Sequence, residues 1–529
     1  MSSSSRYNSL PLVSLLISFF VLSTLHAAAS SHGDFLNCIT LHSNSRIPIY
    51  TPKDSSYSSI LRSTAECLRF NSSTTLKPFL IVTPLKESHI PTVVICSRKN
   101  GIHIRVRSGG HDLEGLSYAA DVPFIIVDLL HLRKVNVDVK NKAAWVQTGA
   151  TIGEVFYKIA KKSNTLGFPA GICPTVGTGG HLSGGGYGSL VRKYGLASDN
   201  VIDARVVDVR GRILNKTSMG EDLFWAIRGG GGASFVIVVA WKIRLVPVPP
   251  TVTVFSVDKT LEDGATSILH KWQQVAHMLP PEIYIIVSIG AGDVSSSGKI
   301  RKDPMIATFI SLFLGDATKH KKLMDDEFPE LGLASNDFTE MSWIQSVLVL
   351  AGLPANTSTD ILLNMPQKKL FFKGKSDYVR QPISQTGIEM MWKRLVDDRQ
   401  TALLLTPYGG RMSEISESET PFPHRDGVLF DIFYYSSWDE EQDVDSEKFR
   451  NELRITHEFM TPYVSKNPRE SYVNYRDLDL GQSSNGTASY SKAAVWGYKY
   501  FKGNFDRLVS VKTKVDPDNF FRNEQSIPR

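Results

Sequence analysis

CPTVGTGGHLSGGGYG, residues 173–188, gathers seven glycines around one cysteine and one histidine. Each glycine costs roughly 0.5–1 kcal/mol relative to alanine in ordered backbone. A run this dense therefore implies a return that only missing side chains give, namely close approach of backbone N–H groups to something anionic. A dinucleotide fingerprint is the first reading to test. Gly177 and Gly179 supply its first two glycines, but the third position falls on Leu182, and no helix inside a compact βαβ unit is expected to follow. Two further glycine-rich stretches, RSGGHD at 107–112 and RGGGG at 228–232, suggest instead that several loops close on one long ligand. A pyrophosphate suits them, with Arg107 or Arg228 as the neutralising cation.

The rest of the chain sets the context. Its 529 residues, 42% hydrophobic and 21% charged, are enough for a large core divided into two or three domains. A net charge of +6 without a basic block argues against a nucleic-acid partner. Arg6, the apolar run from about Leu10 to Leu25 and Ala27–Ala29 read as a signal peptide over 1–29, too short for a stable membrane anchor. Sequons at Asn71, Asn215, Asn356 and Asn485 agree with a secretory route, ending outside the cell, in the apoplast, or in the vacuole. Four cysteines remain after that leader, Cys38, Cys67, Cys96 and Cys173. Three pairings are open if all four bridge; if Cys173 has other work, one pair and one spare thiol are left.

From Pro78 to Leu130, short apolar runs alternate with helical stretches, and Thr151 with Glu154 reads as a helix N-cap. The proline-bounded VPVPP at 246–250 marks a boundary. Beyond it TVTVFSVDKT, EIYIIVSIGAG, MIATFISLFLG and GVLFDIFYYSSW carry the alternation of an antiparallel sheet, with ATSILHKWQQVAHML as an intervening helix. WDEEQDVDSE reads as a solvated helix start and not a metal site.

Five spaced motifs, RSGGHDLEGLSY, GICPTVGTGGHLSGGGYG, GEDLFWAIRGGGG, NYRDLDLG and DPDNFFRNEQSIP, together resemble the plant berberine bridge enzyme-like flavoproteins, over about Phe35 to Pro528. The resemblance implies an α+β fold: a two-part FAD-binding domain of the PCMH type over 30–246, a substrate domain with an antiparallel sheet flanked by helices over 247–470, and a return to the FAD domain over 471–529. It implies a monomer that holds FAD by two covalent bonds, through His111 and Cys173. The cofactor-binding set it implies is Arg107, Ser108, Gly109, Gly110, His111, Cys173, Val176, Gly177, Thr178, Gly179, Gly180, His181, Gly184, Val236 and Asn474. It pairs Cys38 with Cys96 and leaves Cys67 unpaired. Val176, at the position that admits dioxygen in such oxidases, favours oxidase over dehydrogenase, and Val236 replaces a common glycine.

The resemblance also narrows the chemistry. Relatives often carry a glutamate or glutamine base where this chain has Phe433, and a phenyl ring transfers no proton. Alternation puts Leu429, Asp431, Phe433 and Tyr435 on one strand face. Tyr475 is then the candidate base, with a lowered pKa expected, and Tyr187 and Tyr408 are further cavity candidates. The acidic-x-aromatic pair Asp431 and Phe433 matches cannabinoid synthase-like oxidases, whose carboxylate-binding histidine falls here at Ser288. Leu113 makes the pocket more apolar. The implied activity is oxidation of a phenolic, possibly prenylated, or alkaloid substrate, with dioxygen reduced to hydrogen peroxide. Alternatives are a redox-neutral Diels–Alderase on the same fold and a monolignol or carbohydrate oxidase.

Overall fold

The computed structural model describes residues 33–291, 305–365, 369–484, 487 and 489–529. The expected leader and the sequon at Asn485 lie outside the described residues. Three large sheets and a two-stranded one, Leu166–Gly167 paired with Val246–Pro247, organise the described chain. In the first, Leu80–Val82, Phe124–Asp128 and His103–Arg107 pair in parallel, with Ile49–Tyr50 antiparallel at one edge. Parallel strands are covered on both faces, which is why FLIV and FIIV read as continuous apolar runs. Helix Ile90–Lys99 packs there, and Cys96 on it is bridged to Cys38 on the helix of residues 33–42. Cys67 is free and buried.

The second sheet is antiparallel, in the order Val135–Asp138, Ala143–Gln147, Ile237–Arg244, Val201–Val207, Ile213–Leu214. Thr151 caps helix Ile152–Ala160 in a reciprocal capping box with Glu154, as the spacing predicts. Asn215 and Asn356 are exposed and Asn71 half-buried.

The third sheet has seven antiparallel strands, ordered Thr339–Met341, Val252–Thr260, Met305–Phe313, Ile283–Ala291, Thr401–Pro407, Phe430–Trp438 and Phe371–Val379. Its two faces are sorted by the period of two. Ile283, Ile285, Ile432 and Tyr434 join the core beneath helices Ala265–Val275, Gln385–Asp398 and Ser446–Phe459. Tyr284, Ile286, Phe433 and Tyr435 face a cavity instead. The acidic stretch does lead into a helix: a 3-10 turn at Asp443–Asp445 precedes Ser446–Phe459.

Strand Phe371–Val379 escapes the sequence reading because Lys373 and Lys375 interrupt its apolar pattern. Both lysines are nonetheless buried. Lys373 pairs with Glu114 and, at 2.6 Å, with Asp477, while Lys375 reaches Asp477 and, at 3.0 Å, Asp479. Burial works against the Lys373 charge, but Asp477 and Glu114 outweigh it and hold its pKa above the ordinary value. This cluster fastens the 473–481 segment to the strand edge and to the loop after His111. The C-terminal residues close the fold: Lys512 donates to the carbonyls of Ser234 at 2.7 Å and Phe521 at 2.6 Å, and Arg105 pairs with Glu524.

The cross-link joins residues 58 apart in sequence, and in the chain-entropy description a loop of that length stabilises by about 4 kcal/mol. Replacing Cys38 and Cys96 together by serine is expected to lower the calorimetric unfolding temperature while leaving flavin absorbance intact, since neither residue borders the cavity. Equal unfolding temperatures would refute the stabilising role.

Candidate active site

One cavity of about 670 Å³ lies where the three sheets converge. Its floor is the meeting of two glycine loops. A Cβ on Gly109 would stand 2.3 Å from the Gly177 nitrogen, and one on Gly177 would stand 2.2 Å from the Gly109 nitrogen. The two backbones touch, and no side chain fits between them. Ser108 locks the contact by donating to the Thr148 carbonyl and accepting from the Gly179 N–H at 3.3 Å. Gly184 serves in the same way, receiving Asn474, whose amide donates to the His181 carbonyl at 3.0 Å and to the Tyr472 hydroxyl at 2.8 Å. Most glycines of the opening stretch thus admit neighbouring protein, whereas the sequence suggested a ligand. Gly180 is the exception: a Cβ there would meet nothing within 4 Å. The stretch itself contains a short helix, Thr178–Ser183.

The implied cofactor residues separate into two groups. Ser108, Gly109, Gly110, His111, Cys173, Val176, Gly177, Gly179, Gly180, His181, Val236 and Asn474 border the cavity. Thr178, Gly184 and Arg107 do not. Arg107 is fully buried in register with Asp128 on the next parallel strand, and it spends its guanidinium on that carboxylate and on the Ile60 and Leu61 carbonyls. Arg228 lies over the Phe224 ring, 4.4 Å from its centroid, away from the cavity. Neither supplies the expected cation. Arg105, Arg476 and Arg522 do reach the wall; Arg105 alternates with Arg107 on one strand, a signal that gave no means of choosing between them.

FAD fits the residues present. The buried Nε2 of His111 has no hydrogen-bond partner, and burial lowers the imidazole pKa to about 4, so it is neutral. Cys173 is open to the cavity, with Thr175 Oγ1 at 3.4 Å, and the protein that encloses the cavity around it raises its thiol pKa. His181 is also neutral, lowered to about 4 by burial, and its Nε2 accepts the Gly171 N–H at 3.0 Å.

The opposite wall is aromatic. Tyr475 and Phe433 stack with centroids 3.9 Å apart at 18°, and Tyr187 meets Tyr475 edge-on at 6.2 Å. Phe372, Tyr435, Tyr284, Tyr472 and Leu113 complete it. Tyr408 and Asp431 sit behind this surface. Tyr408 is fully buried, packed edge-on against Tyr187 at 6.1 Å, so it is not a cavity group. Asp431 accepts the Tyr187 hydroxyl at 2.6 Å, and burial pushes its carboxyl up to about 7. Ser288 does not border the cavity. The lowered pKa expected for Tyr475 is not found. Burial drives it well above 10, and the Asp431 charge adds to the rise.

These placements distinguish two glycines. Gly177→Ala is expected to give little folded protein, because backbone meets backbone there. Gly180→Ala, in a helical segment facing open space, should fold normally yet bind less flavin, read as a lower ratio of 450 to 280 nm absorbance. Equal flavin content in Gly180→Ala and the parent would exclude Gly180 from the cofactor cradle.

Comparison with known proteins agrees with this geometry. The FAD binding domain family matches residues 78–216, and the berberine and berberine-like family matches residues 471–528. The chain is 52% identical to the tetrahydroberberine oxidase of Berberis wilsoniae, over 97% of both chains. Among solved structures, BBE-like #28 from Arabidopsis thaliana superposes with a TM-score of 0.88 at 49% identity, covering 94% of this chain and 99% of that one. Berberine bridge enzyme from Eschscholzia californica gives 0.88 at 41% identity with the same coverage. With half its residues shared along nearly the whole length of a plant oxidase, and glycine loops shaped around one flavin-sized cavity, the chain belongs to the berberine bridge enzyme-like family of FAD-linked oxidoreductases.

Proposed function

We propose that this FAD-dependent oxidase acts on a flat aromatic phenol or alkaloid amine, with the cofactor linked to His111 and Cys173, and that the protein travels the secretory route. The wall formed by Phe433, Tyr435, Phe372 and Leu113 supports the substrate class, since it suits aromatic surface and offers few partners to a sugar's hydroxyls. The 52% identical relatives named tetrahydroberberine oxidase act on such an amine by name. The leader, the sequons, the Cys38–Cys96 bridge and the lack of a described helix long and apolar enough to span a membrane accord with secretion. FAD bound there supplies the hydride acceptor and returns its electrons to dioxygen.

The observation that carries the mechanism is the 2.6 Å contact from Tyr187 to Asp431 behind Tyr475. A tyrosine whose pKa lies well above 10 is not ionised at neutral pH, so Tyr475 takes a substrate proton only as it gives up its own. Tyr187, packed edge-on against Tyr475, lies next to it, and the bond from its hydroxyl to Asp431 provides the outlet. Asp431 at about 7 is suited to receive that proton near neutrality. Phe433, stacked on Tyr475, holds the ring in line and excludes water.

Tyr475→Phe is expected to slow anaerobic flavin reduction by about 10²- to 10⁴-fold while flavin content stays unchanged. The parent rate should rise with pH as the Asp431 carboxyl ionises, level off above about 7, and lose that inflection in Asp431→Asn. Stopped-flow bleaching of the flavin absorbance across pH measures both. An unaltered inflection in Asp431→Asn would remove Asp431 from the path. Product formed at full rate without oxygen or bleaching would establish the redox-neutral cycloaddition instead.

A further inference from the structure

Among the described residues, Tyr472 is the wall tyrosine whose oxygen receives two hydrogen bonds, one from the Gly186 N–H and one from the Asn474 amide, each at 2.8 Å. The direction of the second bond is fixed by a neighbour. The same Asn474 nitrogen faces the His181 carbonyl at 3.0 Å, and a carbonyl only accepts, so the amide cannot turn its oxygen that way. The ring is held as firmly as its oxygen. Its centroid lies 5.1 Å from that of Tyr187, and it meets Tyr475 and Phe422 edge-on at 5.1 Å and 5.6 Å. The Tyr472 backbone N–H donates to Ser376 Oγ at 2.9 Å, and Ser376 stands in register with Phe433. Tyr472 is therefore clamped between the glycine stretch and the substrate sheet.

A phenol oxygen has two lone pairs and one proton. In Tyr472 both lone pairs are taken, and within the described protein the hydroxyl makes only those accepted bonds. The proton is what it has left to offer. Burial, against the opposing effect of the Gly186 and Asn474 donors, lifts the phenol above its ordinary pKa, so the oxygen keeps that proton at neutral pH. Tyr472 is 3% exposed and borders the cavity. A buried donor left unpaired is costly, so the acceptor belongs to what fills the cavity. Tyr187 differs in this respect, because its proton is already spent on Asp431 at 2.6 Å. The groups that fix the Tyr472 oxygen, Gly186 and, through Asn474, His181, belong to the glycine stretch on the cofactor side.

We infer that Tyr472 is a fixed hydrogen-bond donor to the ring of the bound flavin, and that it makes the ring a better acceptor of the substrate's hydride. The inference rests on FAD lying in this cavity, and on neither the substrate class nor the two links of the proposed function. A ring that has gained electrons is the stronger hydrogen-bond acceptor, so the same O–H stabilises the reduced flavin more than the oxidised one. Because the oxygen is already held from two sides, nothing has to reorganise as the electrons arrive. Removing the donor therefore lowers the reduction potential, and a more acidic phenol raises it. The proton stays on Tyr472 throughout, which separates this role from the proton path through Tyr475, Tyr187 and Asp431.

The test is the midpoint potential of the purified holoenzyme without substrate, measured by photoreduction against reference dyes. Tyr472→Phe is expected to favour the oxidised flavin at least about tenfold more than the parent does, the scale of a hydrogen bond to a charged group, which is a fall of about 30 mV for a two-electron couple. A ring-fluorinated tyrosine placed at position 472 by codon reassignment keeps the shape and the accepted bonds but makes the O–H more acidic. Its potential should exceed that of the parent, a change that loosened packing does not imitate, and it decides the matter if Tyr472→Phe does not accumulate. An unchanged potential in Tyr472→Phe, or one that fails to rise with the fluorinated ring, would overturn the inference. Unchanged potentials with weaker binding of naphthol, an aromatic phenol probe, would assign the O–H to the substrate and overturn it as well. A parent purified without flavin absorbance would instead overturn the placement of FAD in this cavity, and this inference with it.

Discussion

Contact between two backbones, at Gly109 and Gly177, is the constraint on which the site depends. It brings the end of a parallel strand from the first sheet against a loop beside the second, and Ser108 stitches the seam. His111 lies two residues beyond one side of the contact and Cys173 four residues before the other, so both reach the same wall without a long lever. A side chain at either glycine would part the loops and separate the two residues. Glycine's value here lies in what it lets the protein do to itself, more than in what it offers a ligand.

The substrate wall is assembled differently. Tyr475 comes from the C-terminal segment, Phe433 from the strand next to one edge of the seven-stranded sheet, and Tyr187 from the glycine stretch, so three distant parts of the chain share one aromatic contact. Each ring is placed by a separate device. Alternation along Phe430–Trp438 directs Phe433 into the cavity. The Asn474 amide and the lysine–aspartate cluster fix the segment bearing Tyr475. Asp431, one pleat along from Phe433, anchors Tyr187 from behind. Offset stacking and edge-on packing of such rings favour a defined arrangement beyond mere burial.

Much of this was legible in the sequence, and the gaps have physical causes. Strands with β-branched alternation, the Thr151 cap and the helix after the acidic stretch follow from local pattern. Phe371–Val379 did not, because Lys373 and Lys375 mimic a solvated face until their carboxylate partners, more than a hundred residues away, are in place. Arg107 was assigned to a ligand because an arginine before two glycines suggests an anion, while its true partner Asp128 is visible only once the strands are in register. The Tyr475 pKa went the wrong way for a related reason: a tyrosine read in isolation can be imagined beside a cation, but the folded wall surrounds it with rings and one carboxylate.

Asp479 of the lysine–aspartate cluster and Asp431 behind the aromatic wall are shifted in opposite directions. Asp479 is held below its ordinary value, despite its burial, by Arg454 and the two lysines, so its contribution to the folded state is present above 3.8 and is lost only as pH falls through a still lower point. Burial pushes the Asp431 carboxyl the other way, up to about 7. Between those limits the Asp479 contact persists while the Asp431 carboxyl takes up its proton, so a mildly acidic medium would mute the proposed proton path without loosening this contact.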